Sequence, residues 1–423
     1  MNSVKKELSY LYLIQISNFI IPLIIFPYMT HILGVSGMGK IGFAQTLYFL
    51  FAFFIDFGFN LSSAKNISLN LENKKLVDQI YSNIQVFKTI IFSIVLIIII
   101  FIMSIFNFTN LDKQIILIAC ICSFGSVLIP NFLFNGLSRN STLAIISFIT
   151  RILLLIPVFL YVKGIDDILV AILCIIGNNI ITGFLVQLYL LKFKYTNFKF
   201  SYLNFGICKN EIREAFDNYS ASFFTLGFTY LIPLVVKYSL GDYALGIYTM
   251  VDKLIAIFRQ LYIPVIQSFF SKACIAYKND LNLYLSYIKQ ICLIFIFLGM
   301  SALIGNILIG KEILSLIFGN IEDLSKYLSL AIITQIIISI AIILVNFYII
   351  PSERSYILKR VYFIAFLFFI PIVYLCQKYF NLDGIYYSMQ IIEFFITLFF
   401  VLYLYFNRSD FKVLKNNGDK EGL

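Results

Sequence analysis

One apolar segment of the sequence carries three charged residues near its middle. Residues 247–270, IYTMVDKLIAIFRQLYIPVIQSFF, include Asp252, Lys253 and Arg259. The segment is apolar enough to cross a bilayer, and an ionised side chain at the bilayer centre costs at least ~2.5–3.5 kcal/mol on insertion scales. Ionisable residues that persist at this cost usually serve a substrate or an ion pathway, so these three are candidates for a functional site.

Helical spacing separates the three residues into two groups. Asp252 and Arg259 are seven residues apart, which places them on nearly the same helix face, about 10 Å apart along the axis. Lys253 points about 100° away from Asp252. We therefore expect Asp252 and Arg259 to face a polar cavity and Lys253 to reach the outer interface.

Other apolar segments also contain ionisable residues. Arg151 lies roughly ten residues from the predicted cytoplasmic end of its segment, which is deep for a flanking charge. Lys88 and Lys289 lie within two turns of predicted inner ends, where a lysine can also extend to the head groups. The sequence also allows Arg151 and Arg259 to form structural pairs with acidic neighbours. The candidate substrate-binding set is Arg151, Arg259, Asp252, Lys88, Lys289 and Lys253.

Two carboxylates are candidates for coupling transport to an ion gradient. A carboxylate in a low-dielectric cavity binds a proton more readily than one in water. Glu393, near the middle of the last apolar segment, and Asp56 fit this role, although Asp56 could instead cap its helix or pair with Lys65. Asp252 fits less well, because a nearby Arg259 would hold it ionised.

The sequence gives no sign of enzymatic chemistry. It contains a single His, and its seven Cys lie in or beside apolar runs, where they read as small hydrophobic residues. No Ser/His/Asp set, phosphate-binding Gly loop or carboxylate pair in a loop of useful size is present in the sequence; the adjacent Asp166 and Asp167 lie in a short outer turn, where they would cap the sixth span. We predict no catalytic residue, no metal ligand and no cofactor.

The composition predicts an all-α integral membrane protein. Hydrophobic residues make up 61% of the 423 residues and charged residues 13%, too little polar surface for a soluble domain of this length. Runs of about 20 apolar residues predict twelve spans. Their limits are 8–30, 41–61, 80–106, 112–134, 141–162, 166–191, 214–238, 243–270, 283–309, 326–350, 356–377 and 383–406.

The distribution of basic residues predicts the orientation. With the N-terminus inside, 20 of the 32 Lys and Arg fall on the cytoplasmic side and 7 on the outer side, as the positive-inside rule requires. Both termini are therefore expected in the cytoplasm. The net charge of +10 then reflects topology and contact with anionic lipid, and no nucleic-acid partner is expected.

The chain also contains an internal repeat. LGVSGMGKIGFAQTL (33–47) and LGDYALGIYTMVDKL (240–254) align without gaps and pair Gly34 with Gly241. Each copy lies between the first and second spans of a six-span half. This arrangement predicts two six-helix lobes, residues 1–200 and 201–423 with a short cytoplasmic tail, related as parallel repeats with a site between them at mid-depth.

Several segments resemble one transporter family. PYMTHILGVSGMGKIGFAQ (27–45), DFGFNLSSAKNIS (56–68), RILLLIPVFLYVKGIDD (151–167) and LGDYALGIYTMVDKLIAIFRQLYIPVIQSFFSKA (240–273) resemble the O-antigen flippases, or Wzx-type polysaccharide transporters. PNFLFNGLSR (130–139) is similar to another family segment, with Asn135 where Gln is usual, and Ser271 stands where Pro is common. The resemblance covers nearly the whole chain.

The resemblance implies a twelve-helix, two-lobe fold of the multidrug/oligosaccharidyl-lipid/polysaccharide exporter superfamily, which is MATE-like. It also implies movement of an undecaprenyl-diphosphate-linked oligosaccharide from the inner to the outer leaflet of the bacterial cytoplasmic membrane by alternating access. The partners it implies are membrane lipid, an H⁺ or Na⁺ counter-ion and a polysaccharide polymerase.

Two other functions remain open on the sequence. A drug or cation exporter of the same fold should favour acidic cavity groups, whereas the predicted spans hold five basic residues and three acidic ones at depth. A membrane enzyme of glycan assembly would need larger polar loops than this chain has.

The orientation predicts which loops are accessible from each side. The loops at 62–79, 192–213 and 271–282 should be cytoplasmic, because they carry 10 of the 20 basic residues assigned to that side. An Asn204→Cys variant in intact cells should resist a membrane-impermeant maleimide and react only after permeabilisation. Labelling of position 204 from outside would overturn the orientation.

Overall fold

The structure is a computed structural model. It describes the backbone of residues 2–352, 354 and 356–406, and the side chains of residues 24–406 apart from 217, 218, 221, 222, 225–227, 278, 353 and 355. The predicted tail after Phe406, and the side chains of Lys5 and Lys6 that contribute to the predicted orientation, lie outside the described residues.

Every regular element in the described part of the chain is helical, which confirms the all-α prediction. The 3₁₀ turns lie at Ile165–Asp167 and Phe200–Tyr202, and a π-helical turn lies at Val345–Ile349. The α-helices are α1 (Asn2–Asp56), α2 (Phe59–Leu69), α3 (Lys74–Ile105), α4 (Asn110–Leu128), α5 (Asn131–Gly136), α6 (Asn140–Tyr161), α7 (Ile168–Ile176), α8 (Asn178–Phe193), α9 (Phe205–Gln260), α10 (Tyr262–Asn279), α11 (Leu281–Phe318), α12 (Leu324–Leu344) and α13 (Tyr356–Phe406).

Nine helical segments of the described residues are long and apolar enough to cross a membrane. The prediction has twelve spans because it divides three of these segments into two spans each. Each of the three is a bent helix in the structure. The bends are at Gly34 in α1, Gly241 in α9 and Asn381 in α13. A straight helix of the 51 residues of α13 would be about 75 Å long, against about 30 Å of hydrocarbon. The number of crossings stays a prediction.

The two aligned glycines of the internal repeat share one backbone conformation. Gly34 has φ 71° and ψ 177°, and Gly241 has φ 85° and ψ −176°. A Cβ at either position would meet no atom within 4 Å, so the positive φ, rather than crowding, explains the glycine. The two copies of the repeat therefore bend the chain in the same way, while the repeat relation between whole lobes stays a prediction.

The chain forms two compact units, residues 1–237 and 238–423. The predicted boundary at residue 200 falls before this division, because the first part of α9 packs on the first unit. A Cβ at Gly58 would lie 2.6 Å from the carbonyl oxygen of Ala215 in α9. At the other end of this part of α9, Lys237 Nζ lies 2.9 Å from Asp112 Oδ1 of α4.

Each unit has its own apolar core. In the first unit α1 packs on α4, α4 on α8 and α2 on α5, and Phe59, Phe132 and Phe134 are fully buried. In the second unit α12 packs between α11 and α13, with Phe295 and Phe347 in its core. Large apolar side chains on outer faces are exposed, as lipid-facing residues must be.

A buried glutamate joins α9 to α2 outside the membrane-length segments. Glu211, 4% exposed, accepts hydrogen bonds from Ser63 Oγ (2.5 Å) and Asn66 Nδ2 (2.8 Å). Burial raises the pKa of the Glu211 carboxyl, the two hydrogen bonds lower it, and the nearby Glu214 raises it. The net shift is upward.

This shift predicts a pH dependence of stability. The folded state binds the Glu211 proton more tightly than the unfolded state, whose reference pKa is 4.5. Its stabilising contribution is therefore complete below that value and is lost as pH rises through the raised pKa, with a slope of at most ~1.4 kcal/mol per pH unit. Glu211→Gln should remove this decline in thermal unfolding measured between pH 4 and 8.

The matched control is Glu72→Gln, which changes an exposed carboxylate. It should keep the parent's pH dependence. If Glu211→Gln and the parent lose stability in parallel as pH rises, burial does not perturb the Glu211 carboxyl.

Candidate functional site

Two of the predicted site residues form a buried ion pair in the first unit. Lys88 Nζ of α3 lies 2.8 Å from Asp56 Oδ1 at the end of α1 and also donates to the Ser126 carbonyl of α4. The Lys88 side chain is 1% exposed and that of Asp56 23%. Lys88 therefore does not extend to the head groups, and the basic partner of Asp56 is Lys88 rather than Lys65.

Arg151 lies in the same region as this pair. Tyr48 of α1 is within electrostatic range of both Asp56 and Arg151, and Arg151 is exposed on α6. The first unit thus brings together three predicted site residues, Asp56, Lys88 and Arg151, around a buried tyrosine. Two of them neutralise each other, and Arg151 keeps an exposed side chain.

The second unit contains a polar cleft on the helix face that the sequence predicted. Asp252 and Arg259 both line it, as their spacing of seven requires. The cleft lies between α9, α12 and α13. Its other lining residues are Tyr248, Val251, Ile255, Ala331, Thr334, Gln335, Ile338, Tyr386 and Met389.

Arg259 is held by a neutral partner. Its Nε donates to Gln335 Oε1 of α12 at 2.8 Å, and the Arg259 side chain is exposed. Glu393 of α13 is half-buried and within electrostatic range of Arg259, but no ion pair joins the two among the described residues. The cleft thus combines an available guanidinium with two nearby carboxylates.

Two predicted lysines lie away from this cleft. Lys253 is half-buried beside Asp252 but does not line the cleft, consistent with its position 100° around the helix. Lys289 is exposed on α11 and is also absent from the lining. The substrate-binding role of both lysines stays a prediction.

The sequence reading missed two residues of the cleft, Gln335 and Tyr386. Both are almost fully buried, at 1% and 2% exposure, and Gln335 Nε2 and the Tyr386 hydroxyl each have no hydrogen-bond partner among the described residues. A glutamine inside the apolar run LSLAIITQIIISIAIIL was a usable signal, because polar side chains at membrane depth are seldom neutral to function.

No metal centre accompanies these residues. Among the residues that the structure describes, no group of three or more His, Cys, Asp or Glu is placed to hold a metal ion. Cys120, Cys122, Cys174, Cys208, Cys292 and Cys376 are free thiols.

Comparison with known sequences identifies a family. The family model described as polysaccharide biosynthesis protein matches residues 4–270. A protein of Shigella dysenteriae named as an O-antigen transporter is 26% identical, over 93% of this chain and 98% of that protein. A protein of Escherichia coli K12 with the same name is 27% identical, over 43% of this chain and 44% of that protein.

Comparison with solved structures identifies the fold. The lipid II flippase MurJ, in an inward closed conformation, matches with a TM-score of 0.73 and 15% identity, over 96% of this chain and 90% of that chain. An inward-facing multidrug resistance transporter of the MATE family matches with a TM-score of 0.71 and 13% identity, over 94% and 99% of the two chains. The chain therefore has the helical fold that MATE transporters and MurJ share.

The buried ion pair in the first unit predicts a strong mutational effect on stability. Asp56→Asn or Lys88→Met would leave an uncompensated buried partner and should lower the free energy of unfolding by about 3–5 kcal/mol. The double variant should recover much of this loss. Thermal and denaturant unfolding of the purified protein would measure both effects.

The matched control is the exposed Lys326–Asp383 pair at 2.7 Å, in which the Lys326 side chain is 46% exposed. Lys326→Met should change stability by at most ~1 kcal/mol. Equal effects at the two pairs would show that Lys88 is not buried as described.

Proposed function

The chain belongs to the polysaccharide biosynthesis protein family, and we propose that it is a flippase for a lipid-linked polysaccharide precursor. The proposed substrate is an undecaprenyl-diphosphate-linked oligosaccharide, moved from the inner to the outer leaflet of the bacterial cytoplasmic membrane by alternating access. The observation that carries the proposal is the position of Arg259 in a membrane-length helix. Its exposed side chain lines a cleft that Asp252 also lines, and its hydrogen-bond partner is neutral.

The chemistry of such a substrate matches this cleft. Its isoprenoid tail is soluble in hydrocarbon, whereas its diphosphate and glycan need polar shelter from it. An arginine binds phosphate through several N–H donors at once, and carboxylates and tyrosines such as Asp252, Tyr248 and Tyr386 suit sugar hydroxyls and ring faces. The names of the relatives, an O-antigen transporter and a lipid II flippase, support transport of a lipid-linked glycan rather than catalysis.

The predicted binding residues differ in how well they suit this role. Arg259 and Arg151 suit it best, because each has an exposed guanidinium in its own unit. Lys88 is already neutralised by Asp56. Lys253 and Lys289 remain secondary candidates, because neither lines the cleft of Arg259.

We also propose twelve crossings in two six-helix lobes, with both termini in the cytoplasm. The shared conformation of Gly34 and Gly241 and the length of α13 support this topology. A polysaccharide polymerase in the same membrane would consume the translocated product and is the expected partner.

A drug or cation exporter is the second candidate function. The likeness to a MATE transporter and the two carboxylates near Arg259, Asp252 and Glu393, favour it. The two functions differ in the charge of the ligand. An exporter of cations needs free carboxylates to bind its ligand, whereas a flippase of diphosphates needs free arginines.

The flippase proposal predicts that both exposed arginines are essential. Arg151→Ala or Arg259→Ala should abolish complementation of a flippase-deficient strain at unchanged protein level. Lysine at either position should retain partial function, because a point charge still attracts phosphate while bidentate geometry is lost. Growth or surface-polysaccharide staining of the complemented strain is the readout.

Arg360→Ala is the control for charge loss, because Arg360 is exposed on α13 over the ring of Tyr356. It should complement fully. Full activity of the Arg151→Ala/Arg259→Ala double variant would refute the proposal.

An ion gradient is the proposed energy source, and Glu393 is the proposed coupling residue. It is half-buried and free of an ion pair among the described residues, whereas Asp56 is paired with Lys88. Protonation of Glu393, or sodium binding to it, would change the charge beside Arg259 and so bias the two transport states. Glu393→Gln should leave substrate binding nearly intact but make transport in proteoliposomes insensitive to an imposed pH or sodium gradient.

Glu312→Gln, at an exposed carboxylate of α11, should keep the parent's response. If the Glu393→Gln protein responds to the gradient as the parent does, Glu393 is a structural residue and coupling lies elsewhere.

A further inference from the structure

The amide of Gln335 is fixed in one orientation by Arg259. The Nε–H of Arg259 donates to Gln335 Oε1 at 2.8 Å. Rotating the amide by 180° would place its NH₂ group against another donor, so the oxygen must face Arg259 and Nε2 must face away from it. This assignment follows from the hydrogen bond itself and does not depend on telling nitrogen from oxygen.

The Nε2 donor of Gln335 is therefore buried without a partner. Gln335 is 1% exposed, lines the cleft, and its Nε2 has no hydrogen bond among the described residues. A buried donor without an acceptor is costly and uncommon in folded proteins. A group that binds at Gln335 Nε2 must therefore accept hydrogen bonds.

The neighbouring donors define the charge of that group. A guanidinium has five N–H donors, and Gln335 occupies the one on Nε, which leaves the four on the terminal nitrogens of Arg259. These donors and the NH₂ of Gln335 belong to side chains in direct contact at one end of the cleft. A metal cation would be repelled by the guanidinium, whereas a tetrahedral oxyanion can accept from both side chains through adjacent oxygens.

The acidic residues do not oppose an anion at this position. Asp252 is seven residues from Arg259 along α9, about 10 Å away along the helix axis. Glu393 lies within electrostatic range of Arg259 but forms no ion pair with it among the described residues, so no bonded carboxylate neutralises the guanidinium. The end of the cleft at Arg259 and Gln335 is thus the cationic one.

We propose that Arg259 and Gln335 together form the phosphate subsite of the lipid-linked substrate. Gln335 has two roles there: it positions the guanidinium through Oε1, and it donates a hydrogen bond to a phosphate oxygen through Nε2. The proposal rests on the proposed function and extends it with a neutral binding residue on α12, a helix that carried none of the residues expected to bind substrate.

Binding of diphosphate probes to the purified full-length protein tests this assignment. The probes are inorganic pyrophosphate and a short-chain isoprenyl diphosphate, with the matching uncharged isoprenol as the probe control. Gln335→Met, which replaces the amide by an apolar side chain of similar size, should raise the Kd of both charged probes ~10–100-fold. Calorimetry would give Kd, and thermal unfolding would check the fold.

The Gln335→Glu variant distinguishes the two proposed roles of Gln335 in phosphate binding from a purely structural role of this residue. The new carboxylate still accepts from Arg259, so the variant should unfold at the same or a higher temperature than the parent. It should nevertheless lose measurable affinity for both charged probes, because it removes the Nε2 donor and adds a negative charge beside the phosphate. A residue with only a structural role would not give raised stability together with lost binding.

The control variant is Gln390→Glu in the same unit, since Gln390 Nε2 already donates to the Leu330 carbonyl. It should leave the Kd within about twofold of the parent. If the parent binds the diphosphates and both Gln335 variants bind them equally well, the subsite assignment is wrong while the proposed function stands. If the parent binds neither diphosphate, the proposed function fails as well. If Gln335→Met does not fold, the Gln335→Glu variant alone decides between these outcomes.

Discussion

A charge inside a membrane-length helix must be stabilised by another group of the protein, because hydrocarbon cannot solvate it. The first unit meets this requirement at Asp56 and Lys88 by pairing opposite charges at 2.8 Å. The second unit meets it at Arg259 with a neutral amide, Gln335, also at 2.8 Å. In the first arrangement the two charges neutralise each other and stabilise the fold. The second leaves the guanidinium of Arg259 without a bonded counter-charge among the described residues, so it is available to an anionic ligand.

The contrast between a paired and an unpaired charge also explains how proteins of one fold can carry different substrates. The fold that this chain shares with MATE transporters and MurJ does not determine what is carried, since function depends on the groups at the site. In this chain the cleft contains the guanidinium of Arg259, and the neighbouring Nε2 donor of Gln335 favours the same sign of ligand. The proposed substrate class therefore follows from residues of α9 and α12 rather than from the fold.

The sequence predicted those features that depend on local spacing. The helical character follows from hydropathy and the shared face of Asp252 and Arg259 from a spacing of seven. An alignment of two short segments paired Gly34 with Gly241, whose backbone conformations match in the structure. The partners of these residues could not be predicted in the same way. Gln335 is 76 positions from Arg259, and only helix packing brings them together.

The two compact units divide at residue 237, later than the predicted lobes, whose limit at residue 200 stays a prediction. The contacts that attach the start of α9 to the first unit involve a glycine, a serine and a buried glutamate, namely Gly58, Ser63 and Glu211. None of these stands out by hydropathy. A count of spans assigns α9 to the second half, whereas its packing assigns the part before Tyr238 to the first unit.

The most direct test of the account is translocation in vesicles that contain only the purified protein. Proteoliposomes would be loaded with radiolabelled oligosaccharide-diphosphate-undecaprenol in one leaflet, and its arrival in the other leaflet would be followed with a membrane-impermeant glycosidase. The account predicts protein-dependent transfer that a cationic drug does not compete for. Transfer no faster than in protein-free vesicles, together with gradient-driven export of the cationic drug, would contradict it.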